Sequence, residues 1–163
     1  MKKLVAMTVI MAVALSIFVG TPVQAKKAVS VDKVVEAVKD NVSSFPFSDS
    51  DSVTSRRRVF GVKVSTLKTY KAYQKMTGSK SSSSEYFFFV ARAKSSSKAK
   101  SAMTKLKNYI KNEKKNMENY LSSAGQTIFK NGKVGRKGKW VWVLVIGSSD
   151  DNVAAGTAIK DTI

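Results

Sequence analysis

Residues 95–121 read SSSKAKSAMTKLKNYIKNEKKNMENYL, and this stretch decides the fold. Its apolar residues recur at steps of three and four, a spacing that places them on one face of a helix. These residues are Ala99, Met103, Leu106, Ile110, Met117 and Leu121. The opposite side is cationic and carries Lys100, Lys107, Lys111, Lys114 and Lys115. We predict one long helix over 95–121, ended by Gly125, whose apolar face packs on a sheet.

Two apolar stretches on either side of this helix predict the sheet. Residues 86–91 (YFFFVA) and 140–146 (WVWVLVI) are apolar on both faces of an extended chain, which is typical of central strands covered on both sides. A strand over 70–76 precedes the first stretch across a polar connection. A short strand precedes the second apolar stretch and lies between two turn signals, one Asn-Gly and one Lys-Gly.

Further helices are predicted at the two ends of the chain. Ser30 can cap a first helix with valines on one side, Ser95, Ser96 or Ser97 can cap the long helix, and Asp150 or Asp151 can cap a last helix. Residues 52–60 are compatible with a short basic helix stopped by Gly61. The sequence therefore predicts an α+β fold, in which an antiparallel sheet of three to four strands is covered by one long helix plus N- and C-terminal helices.

The composition limits the chemistry of the chain. Lys and Arg number 29 against 11 Asp and Glu, a formal charge of +18, which is typical of proteins that work near polyanions. The sequence contains no cysteine and no histidine. Their absence excludes disulfides, thiolate nucleophiles, imidazole bases and nearly all zinc sites. We predict no catalytic, cofactor-binding or metal-binding residues and expect no cofactor.

Residues 1–25 have the pattern of a secretory signal peptide. Lys2 and Lys3 begin it, residues 4–19 are almost wholly apolar, and Val23 and Ala25 place small side chains before the predicted cut. The apolar run is shorter than the ~20 residues that a membrane span needs. We predict cleavage after Ala25, a secreted single domain over 26–163 with a formal charge of +16, and no transmembrane span after cleavage.

Two carboxylate side chains are not expected to be fully exposed to water. Glu85 begins a predicted strand, and Glu113 falls on the apolar side of the long helix. We expect Glu113 to be half-buried and paired with a lysine or Arg92. A cleft that joins Glu85, Glu113 or Asp151 with lysines would support an extracellular enzyme or enzyme inhibitor, which stays open as the alternative function.

The order of these motifs resembles a known group of proteins. EYFFF at 85–89, Tyr-Leu at 120–121, GKWVWVLVI at 138–146 and the acidic pair at 150–151 resemble an uncharacterised family of small bacterial extracellular domains, common in Gram-positive species and often lipoproteins. The resemblance covers about 31–151 and implies an exported, envelope-associated domain without transferring catalytic residues. The lipoprotein cysteine is missing here, and the charge is unusually basic.

Charge and export together give the leading hypothesis, a secreted, non-catalytic domain held at the bacterial cell envelope by electrostatics. The expected partners are anionic wall polymers or an anionic lipid surface. The predicted anion-binding face consists of Lys98, Lys105, Lys107, Lys111, Lys114 and Lys115. Extracellular nucleic acid is a third and less favoured partner, because most aromatic residues are predicted to lie in core strands rather than at a stacking surface.

Overall fold

The computed structural model describes residues 28–79 and 83–163, so the predicted signal peptide lies outside the described residues. The helices are α1 (Val31–Asn41), α2 (Ser96–Met117), α3 (Ser123–Asn131) and α4 (Ser149–Thr162). The strands are β1 (Arg58–Val59), β2 (Val62–Lys63), β3 (Leu67–Thr77), β4 (Ser84–Ala93), β5 (Lys133–Lys137) and β6 (Trp140–Val145). Helices and antiparallel strands together make an α+β fold, as predicted.

Four strands form the main sheet in the order β3-β4-β6-β5, and every neighbouring pair is antiparallel. The two central strands, β4 and β6, are the two stretches predicted to be apolar on both faces. Strands β1 and β2 form a separate two-stranded hairpin. The predicted strand over 70–76 is confirmed within the longer β3.

Helix α2 covers one face of the sheet. Phe87 and Phe89 on β4 are fully buried in the same cluster as Leu106 of α2. Phe60 of the β1–β2 turn joins them, with its ring centroid 5.3 Å from that of Phe87. The predicted role of the long helix as the cover of the sheet is therefore confirmed, and the small hairpin extends this cover.

Helices α1 and α4 pack on the opposite face. Phe88 and Val90, which alternate with Phe87 and Phe89 along β4, are buried with Val34 of α1 and Ile159 of α4. The two terminal helices thus form a second layer of their own. Because successive side chains of a strand point to opposite faces, the run of three phenylalanines supplies both cores.

The end of the long helix differs from the prediction. Helix α2 ends at Met117, and the backbone N–H groups of Tyr120 and Leu121 both bond to the Met117 carbonyl at 2.9 Å. The chain then turns so that Leu121 is buried beside Ser83. Gly125 does not end α2; it lies inside α3, a helix that was not predicted.

Two local assignments are also corrected. Residues 52–60 are not helical, because Arg58 and Val59 pair with β2 across a turn at Phe60 and Gly61. The last helix is capped by Ser148, whose hydroxyl accepts from the Asp151 N–H at 3.0 Å, rather than by Asp150 or Asp151. The caps predicted at Ser30 and among the serines before α2 are confirmed, the latter at Ser95.

Candidate functional site: a basic cleft

The six lysines of the predicted anion-binding face are all exposed. Among the described residues, ion pairs join Lys71 to Asp32 and Lys75 to Asp51, so none of the six is neutralised in this way. Lys98 and Lys105 are seven residues apart and lie within about 20° of each other around the axis of α2. The remaining four lie a quarter to half a turn away. The structure therefore divides the predicted face into two surfaces.

Lys98 and Lys105 line a cleft between the β1–β2 hairpin and the first half of α2, with a volume of about 380 Å³. Two further cations, Arg58 and Lys63, line it from the hairpin side. The other lining residues are Gly61, Val62, Thr66, Ser101 and Ala102. No acidic residue of the described chain lines this volume. We call this feature the basic cleft.

The hairpin side of the basic cleft is held by a strained turn. Phe60 has a φ of 47° and Gly61 a φ of 77°, the left-handed conformation at both central positions of a two-residue hairpin. A phenylalanine is uncommon there, and its ring is fixed by contacts with Phe87, Phe89 and Tyr109 at centroid distances of 5.3 to 6.1 Å. Core packing therefore compensates for the backbone strain.

This turn sets the positions of the two hairpin cations. Arg58 and Lys63 are directly opposite each other in the β1–β2 register, and both are exposed. The chain before them is also fixed, because the Ser55 hydroxyl accepts from the backbone N–H groups of Arg57 and Arg58 at 3.2 Å. The Tyr70 hydroxyl accepts in turn from the Ser55 N–H at 3.1 Å.

The helix side of the cleft is formed by two turns of α2. Lys98 and Lys105 are about 10 Å apart along the helix axis, with Ser101 and Ala102 between them. Gly61 lies close to the helix, since a Cβ built on it would be 3.8 Å from the Lys105 carbonyl oxygen. Both walls are thus formed by paired strands or helix, which favours a binding site that is formed before the ligand arrives.

The basic cleft is suited to binding an anion. Its four cations come from segments about 40 residues apart, and no carboxylate of the described chain balances them within the cleft. The predicted anion-binding face includes Lys98 and Lys105 of this cleft but not Arg58 and Lys63. The Arg56-Arg57-Arg58 run is the available signal, but the sequence around it is compatible with a short helix rather than with a hairpin.

Glu85 lies in the core at the other end of the α2 face. Its side chain is 3 % exposed, and Oε1 accepts a hydrogen bond from Gln74 Nε2 at 2.8 Å. The second oxygen, Oε2, is buried without a hydrogen-bond partner. Burial raises the pKa of Glu85, and the nearby charge of Glu113 raises it further.

Glu113 is half-buried, as predicted, but its expected ion pair is absent from the described part of the chain. It contributes instead to a cluster with Glu85 and Tyr109. Burial raises the pKa of Tyr109 to about 12, and both glutamates act in the same direction. Among the described residues, no ion pair joins a lysine to Glu85 or Glu113, so the predicted combination of these carboxylates with lysines is not formed by direct contact.

Asp151 has a structural role on the opposite face. Its Oδ1 accepts from the Ser43 N–H at 2.9 Å and from the Ser43 hydroxyl at 2.8 Å, while Oδ2 accepts from the Ser148 hydroxyl at 2.7 Å. These hydrogen bonds lower the pKa of Asp151, that with Ser148 most strongly. The carboxylate joins the end of α1 to the start of α4 and is not combined with Glu85 or Glu113.

The aromatic side chains of residues 28–79 and 83–163 do not form a base-stacking surface. Among the described residues, Tyr120 is the aromatic side chain classed as exposed, at 60 %, and the others are buried or half-buried. Strong binding of single-stranded nucleic acid usually combines several exposed rings with cations. The positions of the rings therefore do not favour the nucleic-acid hypothesis.

Comparison with protein-family models, with curated proteins and with solved structures finds no match to this chain. The resemblance to a family of bacterial extracellular domains therefore stays a prediction. Within residues 28–79 and 83–163, no helix combines the length and the apolar character that crossing a bilayer requires.

Proposed function

We propose that the protein is a secreted, non-catalytic binding domain that is held at the bacterial cell envelope by electrostatic contact with anionic material. The observation that carries the proposal is the basic cleft, in which Arg58, Lys63, Lys98 and Lys105 line one volume without an acidic residue of the described chain. A concave surface with one sign of charge concentrates oppositely charged partners.

The wider charge distribution supports the same function. Lys107, Lys111, Lys114 and Lys115 on the outer side of α2 are exposed, and none of them belongs to an ion pair among the described residues. This surface provides weak, long-range attraction to a polyanion, whereas the cleft provides a defined point of contact. The predicted signal peptide accounts for how the protein would reach anionic wall polymers or lipids.

An enzyme or enzyme inhibitor is the alternative from the sequence, but its three expected carboxylates do not meet in one cleft, because Asp151 lies apart from the Glu85–Glu113 cluster. Glu85 is buried, Asp151 is bonded to Ser43 and Ser148, and the basic cleft has no carboxylate of the described chain. A general acid–base mechanism needs such groups within hydrogen-bond reach of one substrate. The binding function therefore has more support than the catalytic one.

Salt extraction of walled cells that produce the protein tests the proposal. We expect the protein to remain with the cells at low ionic strength and to be released progressively as NaCl rises toward 1 M, because screening weakens contacts between exposed charges. A non-ionic osmolyte at the same osmolarity is the control and should release little. Retention that is unchanged from low to high salt would contradict electrostatic association.

A further inference from the structure

We infer that the basic cleft is a discrete binding site for a multiply charged phosphate group, such as a phosphate ester or a short polyphosphate. The inference rests on the proposed function and goes further, because it assigns binding to four named cations rather than to the net charge. The ligand would lie between the β1–β2 hairpin and α2, in contact with Arg58, Lys63, Lys98 and Lys105.

The first argument is the repulsion among the cations of the cleft, since no carboxylate of the described chain lines the cleft or forms an ion pair with them. Arg58 and Lys63 are directly opposite each other on two antiparallel strands, an arrangement in which like charges are destabilising. Lys98 lies in the first turn of α2, which holds no acidic residue, so its charge also opposes the positive end of the helix. An anion bound among these groups would offset both the repulsion between Arg58 and Lys63 and the unfavourable position of Lys98 at the positive end of the helix.

The second argument is the cost of building this arrangement. The hairpin that presents Arg58 and Lys63 turns through Phe60 at a positive φ, which is strained for a residue with a side chain. Three aromatic contacts hold that residue in place. Strain that the surrounding core over-determines is typical of a pre-organised binding site.

The third argument concerns the chemical class of the ligand. Four cations around one volume of about 380 Å³ match a group with more than one negative charge and several acceptor oxygens. Phosphate has these properties, and the planar guanidinium of an arginine can donate two parallel hydrogen bonds to it. A single carboxylate would leave most of the cations unpaired. The volume also lies in the range of about 300–1,000 Å³ that is usual for small-ligand sites.

Calorimetric titration of the purified protein with tripolyphosphate tests the inference, with acetate as a single-carboxylate control at matched ionic strength. We expect one saturable site for tripolyphosphate and at least about tenfold weaker binding of acetate. Binding should also raise the Tm, because a ligand that binds only the folded state stabilises it. Equal binding of the two anions, or no saturable binding of tripolyphosphate, would overturn the assignment.

Two double variants separate the cleft from the net charge. Lys98→Gln with Lys105→Gln removes two cleft cations, whereas Lys107→Gln with Lys114→Gln removes two outer lysines with the same seven-residue spacing. The first should weaken tripolyphosphate binding about tenfold or more, since each charged hydrogen bond is strong. The second should change it less than about twofold. Equal losses would contradict a discrete site while leaving electrostatic retention intact.

The source of the phosphate is distinguished by two further assays with the same variants. Phosphatidylglycerol vesicles present a lipid phosphate, and isolated cell walls present polymer phosphate. A loss of binding to either one that is specific to the Lys98/Lys105 variant supports the cleft and identifies the source. Equal binding of both variants to vesicles and to walls contradicts it. If retention of the unmodified protein on cells did not depend on salt, this result would instead contradict the proposed function of electrostatic retention at the envelope.

Discussion

At the scale of single residues, Glu85 is the least expected feature of the core. One oxygen is bonded to Gln74, and the other is buried without a partner. A buried, unsatisfied carboxylate oxygen costs free energy, and the cost is greatest when the group is ionised. Glu85 therefore destabilises the folded protein at neutral pH, while its neutral form is better tolerated.

This cost predicts how stability depends on pH. Burial raises the pKa of Glu85 above its ordinary 4.5, so the folded state holds this proton more tightly than the unfolded state. The contribution of Glu85 to stability is thus most favourable below about pH 4.5 and falls as pH rises through the raised pKa. Glu85→Gln should increase the free energy of unfolding by about 1 kcal/mol at pH 7, measured by urea denaturation.

The control for this variant is Glu36→Gln, which changes the same charge at an exposed position of α1. Glu36→Gln should change the free energy of unfolding little at pH 7 or at pH 4.5. The difference between the two variants should shrink as pH falls to 4.5. A Glu85→Gln protein that is less stable than the unmodified protein at pH 7 would show that the ionised carboxylate is satisfied and useful.

Asp151 gives the opposite pH dependence. Its hydrogen bonds hold its pKa below the ordinary 3.8, so its stabilising contribution is present above pH 3.8 and is lost as pH falls through the lowered pKa. Asp151→Ala should lower the free energy of unfolding by about 1–2 kcal/mol at pH 7, because it removes bonds to Ser43 and Ser148.

The neighbouring Asp150 provides a matched control in the same first turn of α4. Asp150→Ala removes the same charge from the helix terminus but none of these bonds, and should cost about half a kcal/mol. Thermal denaturation at pH 7 and at pH 3 measures both variants. Equal losses for the two would mean that charge near the helix end, and not the link to Ser43, accounts for the effect.

At the scale of elements, two helical glycines differ in what surrounds them. A Cβ at Gly125 of α3 would lie 2.4 Å from the Ser83 carbonyl oxygen, whereas one at Gly156 of α4 would make an ordinary contact of 3.8 Å with Leu144. Gly125 is therefore needed for the close approach of α3 to the start of β4, and Gly156 is not.

Alanine substitutions at these two glycines should have opposite signs. Gly125→Ala forces a backbone clash and should lower the free energy of unfolding by about 1–3 kcal/mol. Gly156→Ala improves helix propensity without a clash and should raise it by about 0.5–1 kcal/mol. Urea denaturation compares the two. A stabilising Gly125→Ala would mean that α3 does not pack closely on the Ser83 carbonyl.

The same glycine explains an error in the sequence prediction. The sequence predicts that Gly125 ends the long helix, since glycine is common just after a helix terminus. Gly125 instead allows α3 to approach Ser83 closely. Ser83 is about 40 residues away in the sequence, so no local sequence pattern indicates this contact. By contrast, the serines that cap α1 and α2 were predicted correctly, because a cap is a local interaction with an N–H three residues ahead.

At the scale of the whole molecule, the two-sided core was predictable and the cleft was only partly so. Strands that are apolar at every position require a cover on both faces, and α2 on one side with α1 and α4 on the other provides it. The basic cleft depends on how the hairpin docks on α2. The turn at Phe60 and Gly61 lacks the usual Asn-Gly signal, so its register was hidden in the sequence.

The binding of purified protein to isolated cell walls, measured from 50 mM to 1 M NaCl, tests the central claim most directly. We predict that the logarithm of the affinity falls steeply with the logarithm of the salt concentration. At every salt concentration, Lys98→Gln with Lys105→Gln should bind more weakly than Lys107→Gln with Lys114→Gln. Affinity that does not change with salt, or that is equal for the two variants, would contradict electrostatic retention on the cell wall through the basic cleft.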